Sequence, residues 1–310
     1  MWPNNIRDYV SPVHSKEIWV IANLGLGTKF QDQARLVCNA LMKEGFYAKV
    51  VDSFDLYLQI GDDNRDLLAA VKPPVAAIIQ VKDTVLIKAL ESMGVLTFNS
   101  SEAVRVCDDK SLTHLALSQN NVPTPTTLVP PERYPGQPIP EHFIAYAEEL
   151  IGYPMIVKAA KGSFGKEVFM AQSRLELENS LTKLQHKPLI IQRFVRSTHN
   201  TDLRVQVIDG KAMAAVQRRP NNGDFRANLT LGASGESISP SDDVSRTAEM
   251  ASVAVGTLSA GVDLIVDIDG RPLVLEVNSN AHLRRITEIT GVQVARLFAQ
   301  AVARHLIDIE

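Results

Sequence analysis

The stretch GVDLIVDIDGRPLVLEVNSN, residues 261–280, places four carboxylates among residues that favour a buried β-sheet. Its Asp269-Gly270 pair predicts a two-residue hairpin turn, because both central positions of a type I′ turn need a positive φ. In the register that such a turn sets, Asp263 lies directly opposite Glu276, with Asn278 two residues further along. The stretch is therefore predicted to be an antiparallel strand pair in which two acidic side chains face each other.

The two faces of this strand pair differ in character, because side chains alternate between faces along a strand. One face is predicted to carry Asp263, Glu276 and Asn278. The other face is predicted to enter the core, with Leu264, Val266, Leu275 and Val277. Asp267 is expected on the acidic face, near the turn and in solvent.

Facing carboxylates need a reason, because they repel each other at a cost of up to about 1 kcal/mol when exposed. A cation between them would offset that repulsion. Two carboxylates and an amide oxygen suit Mg²⁺, which takes one or two protein carboxylates and fills its remaining positions with water and phosphate oxygens. A solvated polar face without a metal is an equally good interpretation of these residues alone.

A second cluster has the composition of a phosphate site. In KAAKGSFGKE, residues 158–167, Lys158 ends an apolar run and a connection rich in glycine and lysine follows. Glycine lets backbone N–H groups approach phosphate oxygens closely, and lysine supplies positive charge. The spacing is not that of a P-loop, and an ordinary hairpin connection is the alternative.

Further cations stand at positions that favour an anionic partner. The segment DDKSLTHLALSQNN, residues 108–121, predicts a helix opened by Asp108 or Asp109, with Lys110 in its first turn. A cation there opposes the helix dipole, so either solvent or an anion is expected beside it. A basic group follows at Arg218, Arg219 and Arg226. Arginine binds carboxylate and phosphate through two hydrogen bonds, although many basic loops are only solvated.

Composition limits the classes of function. The 310 residues are 45% hydrophobic, which is enough for a substantial core. Their formal net charge of −3 excludes an overall positive field that would attract nucleic acid or an anionic membrane. The two cysteines, Cys38 and Cys107, lie in segments with helical spacing and predict buried thiols in a reducing compartment. No apolar run approaches the roughly 18 residues of a membrane span. We therefore expect a soluble, cytoplasmic protein.

The chain divides into regions of different pattern. Strands and helices alternate over residues 17–99, which predicts a parallel α/β sheet. The GLGTK stretch, residues 25–29, lacks the third glycine of a dinucleotide fingerprint and favours a tight turn over a nicotinamide site. A proline-rich segment, residues 122–142, predicts a connector. Beyond it, strands and helices are mixed, and Asp209-Gly210 predicts another hairpin.

In their order along the chain, these clusters resemble the ATP-grasp superfamily and, within it, the RimK-type amino acid ligases. The stretches that carry the resemblance are DK (109–110), PMIVKAAKGSFGKEV (154–168), IIQRFV then TDLRVQVIDGKAMAAVQRR (190–219), GDFRANLTLGA (223–233) and AGVDLIVDIDGRPLVLEVNSN (260–280), followed by ITEITGV (286–292). The resemblance implies α/β and α+β parts: an ATP-grasp fold with an N-terminal preATP-grasp, Rossmann-like α/β domain. The implied domains are 1–108 (preATP-grasp), 109–192 (small subdomain with the phosphate lysines) and 193–310 (subdomain with the metal and substrate site).

The resemblance also implies roles for particular residues. The implied ATP-binding residues are Lys110, Lys158, Lys161, Gly162, Ser163, Gly165, Gln192, Phe194, Val195 and Asp202. Among them, Lys110 and Lys158 would contact phosphates, and backbone groups of Phe194 and Val195 would read the adenine edge. The implied metal ligands are Asp263, Glu276 and Asn278, in agreement with the register argument. The residues implied to act on the transferred phosphate are Arg226, Lys158 and Arg218.

The chemistry implied by the resemblance is ATP-dependent amide formation. A substrate carboxylate attacks the γ-phosphate of ATP to give an acyl phosphate and ADP, and an amine then displaces phosphate. The implied cofactors are ATP and Mg²⁺, with Mn²⁺ as a substitute for Mg²⁺. The implied partners are an amino acid such as glutamate and an amino acid, peptide or metabolite acceptor, in a homodimer or homotetramer.

Two departures from the family pattern leave the substrate open. Ser279-Asn280-Ala281-His282 stands where a Pro-Gly pair is common, and Arg193 stands where an acidic residue is common at the adenine hinge. A ligase or kinase that acts on another carboxylate, such as a D-amino acid, is one alternative. A non-catalytic nucleotide-binding module is the other.

Overall fold

The computed structural model describes residues 17–61, 72–134, 136–162, 167–197, 201–219 and 234–307. These residues form two compact units. One unit contains the described residues up to Ser101 together with those from Ala295 onward, and the other contains Glu102–Val294. The end of the chain therefore groups with the N-terminal unit, whereas the third predicted domain runs to residue 310. The domain boundaries given above stay a prediction.

The N-terminal unit is built on a parallel sheet. Its described strands and helices are β1 (Glu17–Ala22), α1 (Thr28–Lys43), β2 (Tyr47–Asp52), β3 (Ala76–Ile79), α2 (Thr84–Ser92) and β4 (Leu96–Phe98). The strands stand in the order β2-β1-β3-β4, and all neighbours are parallel. The central strands β1 and β3 are almost entirely buried, as strands covered on both faces should be. The predicted parallel α/β sheet is confirmed.

Both cysteines are reduced and buried on helices, as predicted. Cys38 lies in α1 and Cys107 in α3 (Ser101–Asp108). Burial raises the pKa of the Cys38 thiol above its ordinary value, which disfavours the reactive thiolate. The thiol of Cys38 therefore behaves as a small packed side chain.

The second unit begins with a helix whose opening was predicted. Helix α4 spans Lys110–Gln119, and the Asp109 carboxylate accepts hydrogen bonds from the backbone N–H groups of Ser111 (2.9 Å) and Leu112 (3.4 Å). These bonds satisfy backbone donors at the start of the helix that have no intrahelical partner. Lys110 is thereby fixed in the first turn.

An antiparallel sheet with two helices follows α4. Its elements are β5 (Thr127–Leu128), α5 (Glu141–Leu150), β6 (Met155–Ala159), β7 (Val168–Ala171), α6 (Arg174–Lys183) and β8 (Leu189–Arg193). The described strands stand in the order β5-β8-β6-β7. Met155, Val157 and Leu177 belong to the core of this layer. The sheet places Lys158 of β6 next to β8, with Ile190 as its register partner.

A second antiparallel sheet carries the acidic strand pair. Its elements are β9 (Asp202–Ile208), β10 (Lys211–Arg219), β11 (Ser234–Ile238), α7 (Asp242–Ala254), β12 (Ser259–Val266), β13 (Pro272–Asn278) and α8 (Leu283–Thr290). The described strands stand in the order β11-β10-β9-β12-β13, so β9 and β12 are neighbours although β10 and β11 separate them along the chain. Val205, Ala248 and Val262 belong to the core that this sheet shares with α7. The last helix, α9 (Val294–Ile307), ends the described chain.

Two Asp-Gly hairpins in this sheet fold differently. At Asp209-Gly210 both residues have positive φ, 51° and 70°, as the predicted two-residue turn requires. At the second turn, φ of Gly270 is 80°, whereas Asp269 is not among the described residues with positive φ. The Gly270 N–H donates to the Asp267 carbonyl at 3.0 Å, and the Asp267 N–H donates to the Arg271 carbonyl at 3.0 Å. The two-residue turn predicted at Asp269-Gly270 is wrong, because the loop contains three residues.

The side chain of Asp267 explains the longer turn. Its Oδ1 accepts hydrogen bonds from the backbone N–H groups of Asp269 (3.0 Å) and Arg271 (2.9 Å). This Asx-type arrangement favours a type I turn followed by a left-handed glycine. The corresponding residue of the first hairpin, Ile208, has no side-chain acceptor. Asp267 is 5% exposed, so the prediction that it lies in solvent is wrong.

A β-bulge restores the predicted register beyond the turn. Val266 pairs with Pro272 and Leu264 with Val274, one position away from the predicted partners. The register shifts between Asp263 and Leu264, which leaves Leu275 as the extra residue, and Asp263 then pairs with Glu276. Val274 packs in the core where Leu275 was predicted, while Leu275 is only partly buried.

Within the described part of the chain, no helix is both long enough and apolar enough to cross a membrane.

Candidate active site

The acidic face is formed as predicted. Asp263 and Glu276 are register partners in β12 and β13, and Gly261 and Asn278 are partners two positions further on. The Asn278 Nδ2 atom lies 3.4 Å from both the Gly261 carbonyl oxygen and Asp263 Oδ2. These contacts turn the amide nitrogen toward the strand pair and leave the amide oxygen as the atom available to a cation.

Two arginines hold Asp263. Arg204, its register partner on β9, donates through Nε to Oδ1 and through Nη2 to Oδ2, the latter at 2.6 Å. Arg218 of β10 approaches Oδ1 with its Nη2 at 2.9 Å. Burial opposes the charge of Asp263, but the two guanidiniums hold its pKa below the ordinary value. Asp263 is therefore a buried, ionised carboxylate.

Arg218 also binds Asp202, so one guanidinium joins two carboxylates. Its Nε and Nη2 donate to the Asp202 oxygens at 2.6 and 2.7 Å. Burial raises the pKa of Asp202 to about 6, and the charge of Arg218 limits the rise. Arg218 is 5% exposed. Its buried guanidinium therefore forms ion pairs with both Asp202 and Asp263.

Glu276 is paired with Lys110. The Lys110 Nζ lies 3.5 Å from Glu276 Oε1 and donates to the Gly162 carbonyl at 3.2 Å. Lys110 is 8% exposed, so the solvent exposure expected as one alternative is not found, and the Glu276 carboxylate offsets the helix dipole. The Glu276 side chain keeps 31% of its surface exposed and remains accessible to a ligand.

The glycine and lysine connection starts beside α4. The Lys110 N–H donates to the Ala160 carbonyl at 2.8 Å, and Asp109 and Lys161 form an isolated antiparallel bridge. Lys161 is exposed, and Gly162 has a φ of 152°. Backbone hydrogen bonds therefore link the start of α4, which carries Lys110, to the glycine and lysine connection.

Lys158 is buried at the end of β6. Its Nζ donates to Gln192 Oε1 at 2.7 Å. Burial lowers the pKa of Lys158 to about 8, a decrease that the Glu276 and Asp263 charges oppose and the Lys110 charge reinforces. A lysine with this pKa is charged at neutral pH and gains from an anionic ligand such as phosphate.

The remaining predicted residues fall into two groups. Phe194 and Val195 directly follow β8, partly buried and buried respectively, and no described contact tests their role at adenine. Ser163, Gly165 and Arg226 lie outside the described residues. The roles assigned to all site residues stay predictions.

The donor set of the acidic face suits a hard divalent cation. Asp263, Glu276 and the Asn278 amide oxygen lie on one face, and carboxylate and amide oxygens are ligands of the type that Mg²⁺ takes. Among the described residues, no group of three or more His, Cys, Asp or Glu side chains could hold a metal ion. A site here would therefore rest on two carboxylates, the amide and ligands from outside the chain.

Two features of the site were missed from the sequence. Arg204 lies in the quoted stretch TDLRVQVIDG, but its contact with Asp263 depends on β9 and β12 being neighbours. His114 of α4 lies against Gln192, with Nε2 of the imidazole 3.1 Å from Nε2 of the amide. The alternation of Asp202 and Arg204 along β9 was the available signal for the contact of Arg204. No local pattern signals the contact between His114 and Gln192.

Comparisons with known proteins give the family from the sequence and the fold from the structure. Residues 107–302 match the RimK-like ATP-grasp domain. The chain is 31% identical over 286 residues to a "Probable alpha-L-glutamate ligase" of Thioalkalivibrio sulfidiphilus (strain HL-EbGR7). The aligned region covers 89% of this chain and 92% of that relative.

Two solved structures share the fold. The D-cycloserine synthetase DcsG has a TM-score of 0.71 and 18% identity, over 94% of this chain and 99% of the other. The ATP-grasp ligase PsnB, in complex with its minimal precursor, Mg and ADP, has a TM-score of 0.67 and 18% identity, over 93% and 97%. The predicted fold and family are confirmed, and this chain belongs to the RimK-like ATP-grasp family.

Proposed function

We propose that this protein is an ATP- and Mg²⁺-dependent carboxylate–amine ligase that joins L-glutamate to an amine acceptor. The observation that carries the proposal is the pairing of Glu276, beside Asp263 on the acidic face, with Lys110, a buried cation 3.5 Å away. The pairing supports the proposal because it brings the face proposed to bind the metal next to the cation proposed to bind phosphate. Family membership and the name of the Thioalkalivibrio relative support glutamate as a substrate.

Each group in the site has a part in phosphoryl transfer. Asp263, Glu276 and Asn278 would hold Mg²⁺, which when bound neutralises phosphate charge. Lys110 and Lys158 bind phosphate oxygens and stabilise the charge of the transferring group. Arg204 and Arg218 keep Asp263 ionised and fixed in place. No nucleophilic side chain is needed, because the substrate carboxylate is itself the nucleophile.

The proposed reaction has two steps, phosphorylation of the carboxylate and attack by the amine. A carboxylate oxygen of glutamate forms a bond to the γ-phosphorus, and the bond to ADP breaks. The acceptor amine then attacks the acyl carbon, phosphate leaves with the former carboxylate oxygen, and the amine loses a proton. Exclusion of water during the reaction would protect the acyl phosphate from hydrolysis.

The test is an assay of product and oxygen transfer. The purified protein, ATP and Mg²⁺ are incubated with an amino acid pool, and mass spectrometry searches for condensation products. With glutamate labelled by ¹⁸O in its carboxylates, one ¹⁸O should appear in inorganic phosphate, and ADP release should require glutamate and an amine. ADP release without amide product would instead indicate a kinase. Tight ATP binding without turnover on any substrate would indicate a binding module.

Finer points of the proposal have separate measurements. Mn²⁺ is expected to replace Mg²⁺ in the ADP-release assay. A homodimer or homotetramer is expected, and sedimentation analysis of the purified protein distinguishes these from a monomer. The reducing, cytoplasmic compartment expected from the sequence is tested by cell fractionation.

A further inference from the structure

A buried chain of hydrogen bonds begins at Lys158. Gln192 accepts from Lys158 through Oε1, and its Nε2 donates to Thr127 Oγ1 at 2.8 Å. The same Nε2 lies 3.1 Å from Nε2 of His114. Gln192 is 1% exposed and His114 is 4% exposed. Water therefore does not compete for these contacts.

The chain continues from His114 to the acidic strand pair. His114 Nδ1 lies 2.6 Å from Thr124 Oγ1, and Thr124 Oγ1 donates to the Val274 carbonyl of β13 at 3.0 Å. The hydrogen bonds thus join β6, β8, α4, the segment before β5, and β13. They connect the lysine predicted to bind phosphate with the strand that carries Glu276.

The direction of every hydrogen bond follows from the two ends of the chain. A charged lysine can only donate, so the atom of Gln192 beside Lys158 must be the oxygen. The Gln192 nitrogen is then a donor, and His114 must accept through a Nε2 that carries no proton. His114 therefore carries its proton on Nδ1, which faces Thr124 Oγ1, and the ring also has a hydrogen bond to the backbone of Leu275 on β13. The hydroxyl of Thr124 in turn donates a hydrogen bond to the Val274 carbonyl, which can only accept.

The charge state of His114 agrees with this arrangement. Burial, together with the charges of Lys158 and Lys110, lowers the pKa of His114 to about 3, although a hydrogen bond to the Leu275 backbone opposes the decrease. The imidazole is neutral at physiological pH, so Nε2 has a lone pair available for Gln192. A protonated imidazole would present a donor to the donor of Gln192.

We infer that His114 and Thr124 are positioning residues that hold the amide of Gln192 with its oxygen toward Lys158 and so fix this lysine for phosphate binding. The inference rests on the proposed function only in taking Lys158 as a phosphate ligand. A flipped Gln192 would place an NH₂ group against the ammonium and an oxygen against the lone pair of His114. Both contacts are repulsive, and loss of the neutral Nδ1–H imidazole removes the second penalty.

The test measures affinity for a non-hydrolysable ATP analogue with Mg²⁺ by calorimetry, which requires no amino acid substrate. His114→Leu should weaken binding by about tenfold, the effect of losing one hydrogen bond to a charged or buried group. In the Gln192→Leu background, His114→Leu should have no further effect, because His114 acts through Gln192. A steady-state assay should show KM for ATP raised more than kcat is lowered.

Matched variants separate this role from a general loss of stability. Leu117→Ala creates a cavity in the same helix, one turn from His114, and should lower the unfolding temperature without weakening binding of the analogue. Thr124→Ser keeps the hydroxyl and should bind as the wild type does. Thr124→Val removes the hydroxyl and should weaken binding. This variant tests the inference independently if His114→Leu does not fold.

Two outcomes would overturn the inference. Wild-type affinity in folded His114→Leu or in Thr124→Val would show that the chain of hydrogen bonds does not position Lys158. An undiminished effect of His114→Leu in the Gln192→Leu background would show that His114 does not act through Gln192. Absence of analogue binding by the wild type would overturn the proposed function itself, and this inference with it.

Discussion

Arg204 and Asp263 are register partners on neighbouring strands and are joined through both carboxylate oxygens of the aspartate. Within the described residues, the two members of the acidic pair have different side-chain cations as partners. Asp263 is balanced by two guanidiniums from β9 and β10, and Glu276 by Lys110 from α4. The two carboxylates thus share no partner among these cations, and Glu276 is the more exposed of the two.

Glu276→Gln should nearly abolish turnover while the fold persists. The substitution keeps the shape of the side chain but removes the charge that faces Lys110 and would bind Mg²⁺. Loss of a group that acts on the transferring charge is expected to lower kcat by about 100-fold or more. The measurements are ADP release and the unfolding temperature. Glu236→Gln, at an exposed position of β11, is the control. Full turnover in Glu276→Gln would remove this residue from the metal site.

Arg218→Met should destabilise the protein strongly. The guanidinium is buried between Asp202 and Asp263, so its removal leaves Asp202 without its hydrogen-bonded cation and Asp263 with Arg204 alone. The expected loss is about 3–5 kcal/mol in the free energy of unfolding at pH 7, measured by denaturant titration. Arg271→Met is the control, because its side chain is 67% exposed beside Asp267 and such pairs contribute less than about 1 kcal/mol. Equal effects of the two variants would contradict the prediction.

Affinity for ATP should fall as the pH rises through about 8. Burial lowers the pKa of Lys158 to about 8, so the free protein loses this charge above that pH, whereas phosphate binding requires the charged form. Glu276 and Asp263 favour the charged lysine and Lys110 disfavours it. Calorimetry should show a decrease that approaches tenfold per pH unit well above pH 8. In Lys158→Met the affinity should be weak and no longer follow this profile. A wild-type affinity that stays constant from pH 7 to 9.5 would contradict the assignment.

Gly261→Ala should disturb the Arg204–Asp263 pair. A Cβ at this position would lie 2.8 Å from the Ala281 Cβ and 3.0 Å from both Cδ and Nη1 of Arg204. We expect destabilisation by about 1–3 kcal/mol from overpacking, together with lower turnover as Arg204 shifts. Ala281→Gly in the same chain should recover part of the stability, since it removes the nearer obstacle. An unchanged unfolding temperature in Gly261→Ala would show that the strand has space for the added methyl.

Local patterns in the sequence were sufficient for the elements that carry the site. The pairing of Asp263 with Glu276 follows from alternation in two strands that are adjacent in the chain, and Asp109 opens α4 because a side-chain acceptor there satisfies nearby N–H groups. The turn between the strands was mispredicted, because the Asp267 side chain favours three loop residues over two. The register at the site still came out as predicted, since the bulge at Leu275 compensates for the turn.

The sequence by itself determined the strand pair, the helix that presents Lys110, the parallel N-terminal sheet and the family, because these depend on neighbours in the chain and on motif order. Only the tertiary structure decided what each charge contacts. Arg204 and Asp263 are 59 residues apart, His114 and Gln192 are 78 apart, and Thr124 and Val274 are 150 apart. Such contacts depend on which strands become neighbours in a sheet, and that order follows from burial of the whole core rather than from any local pattern.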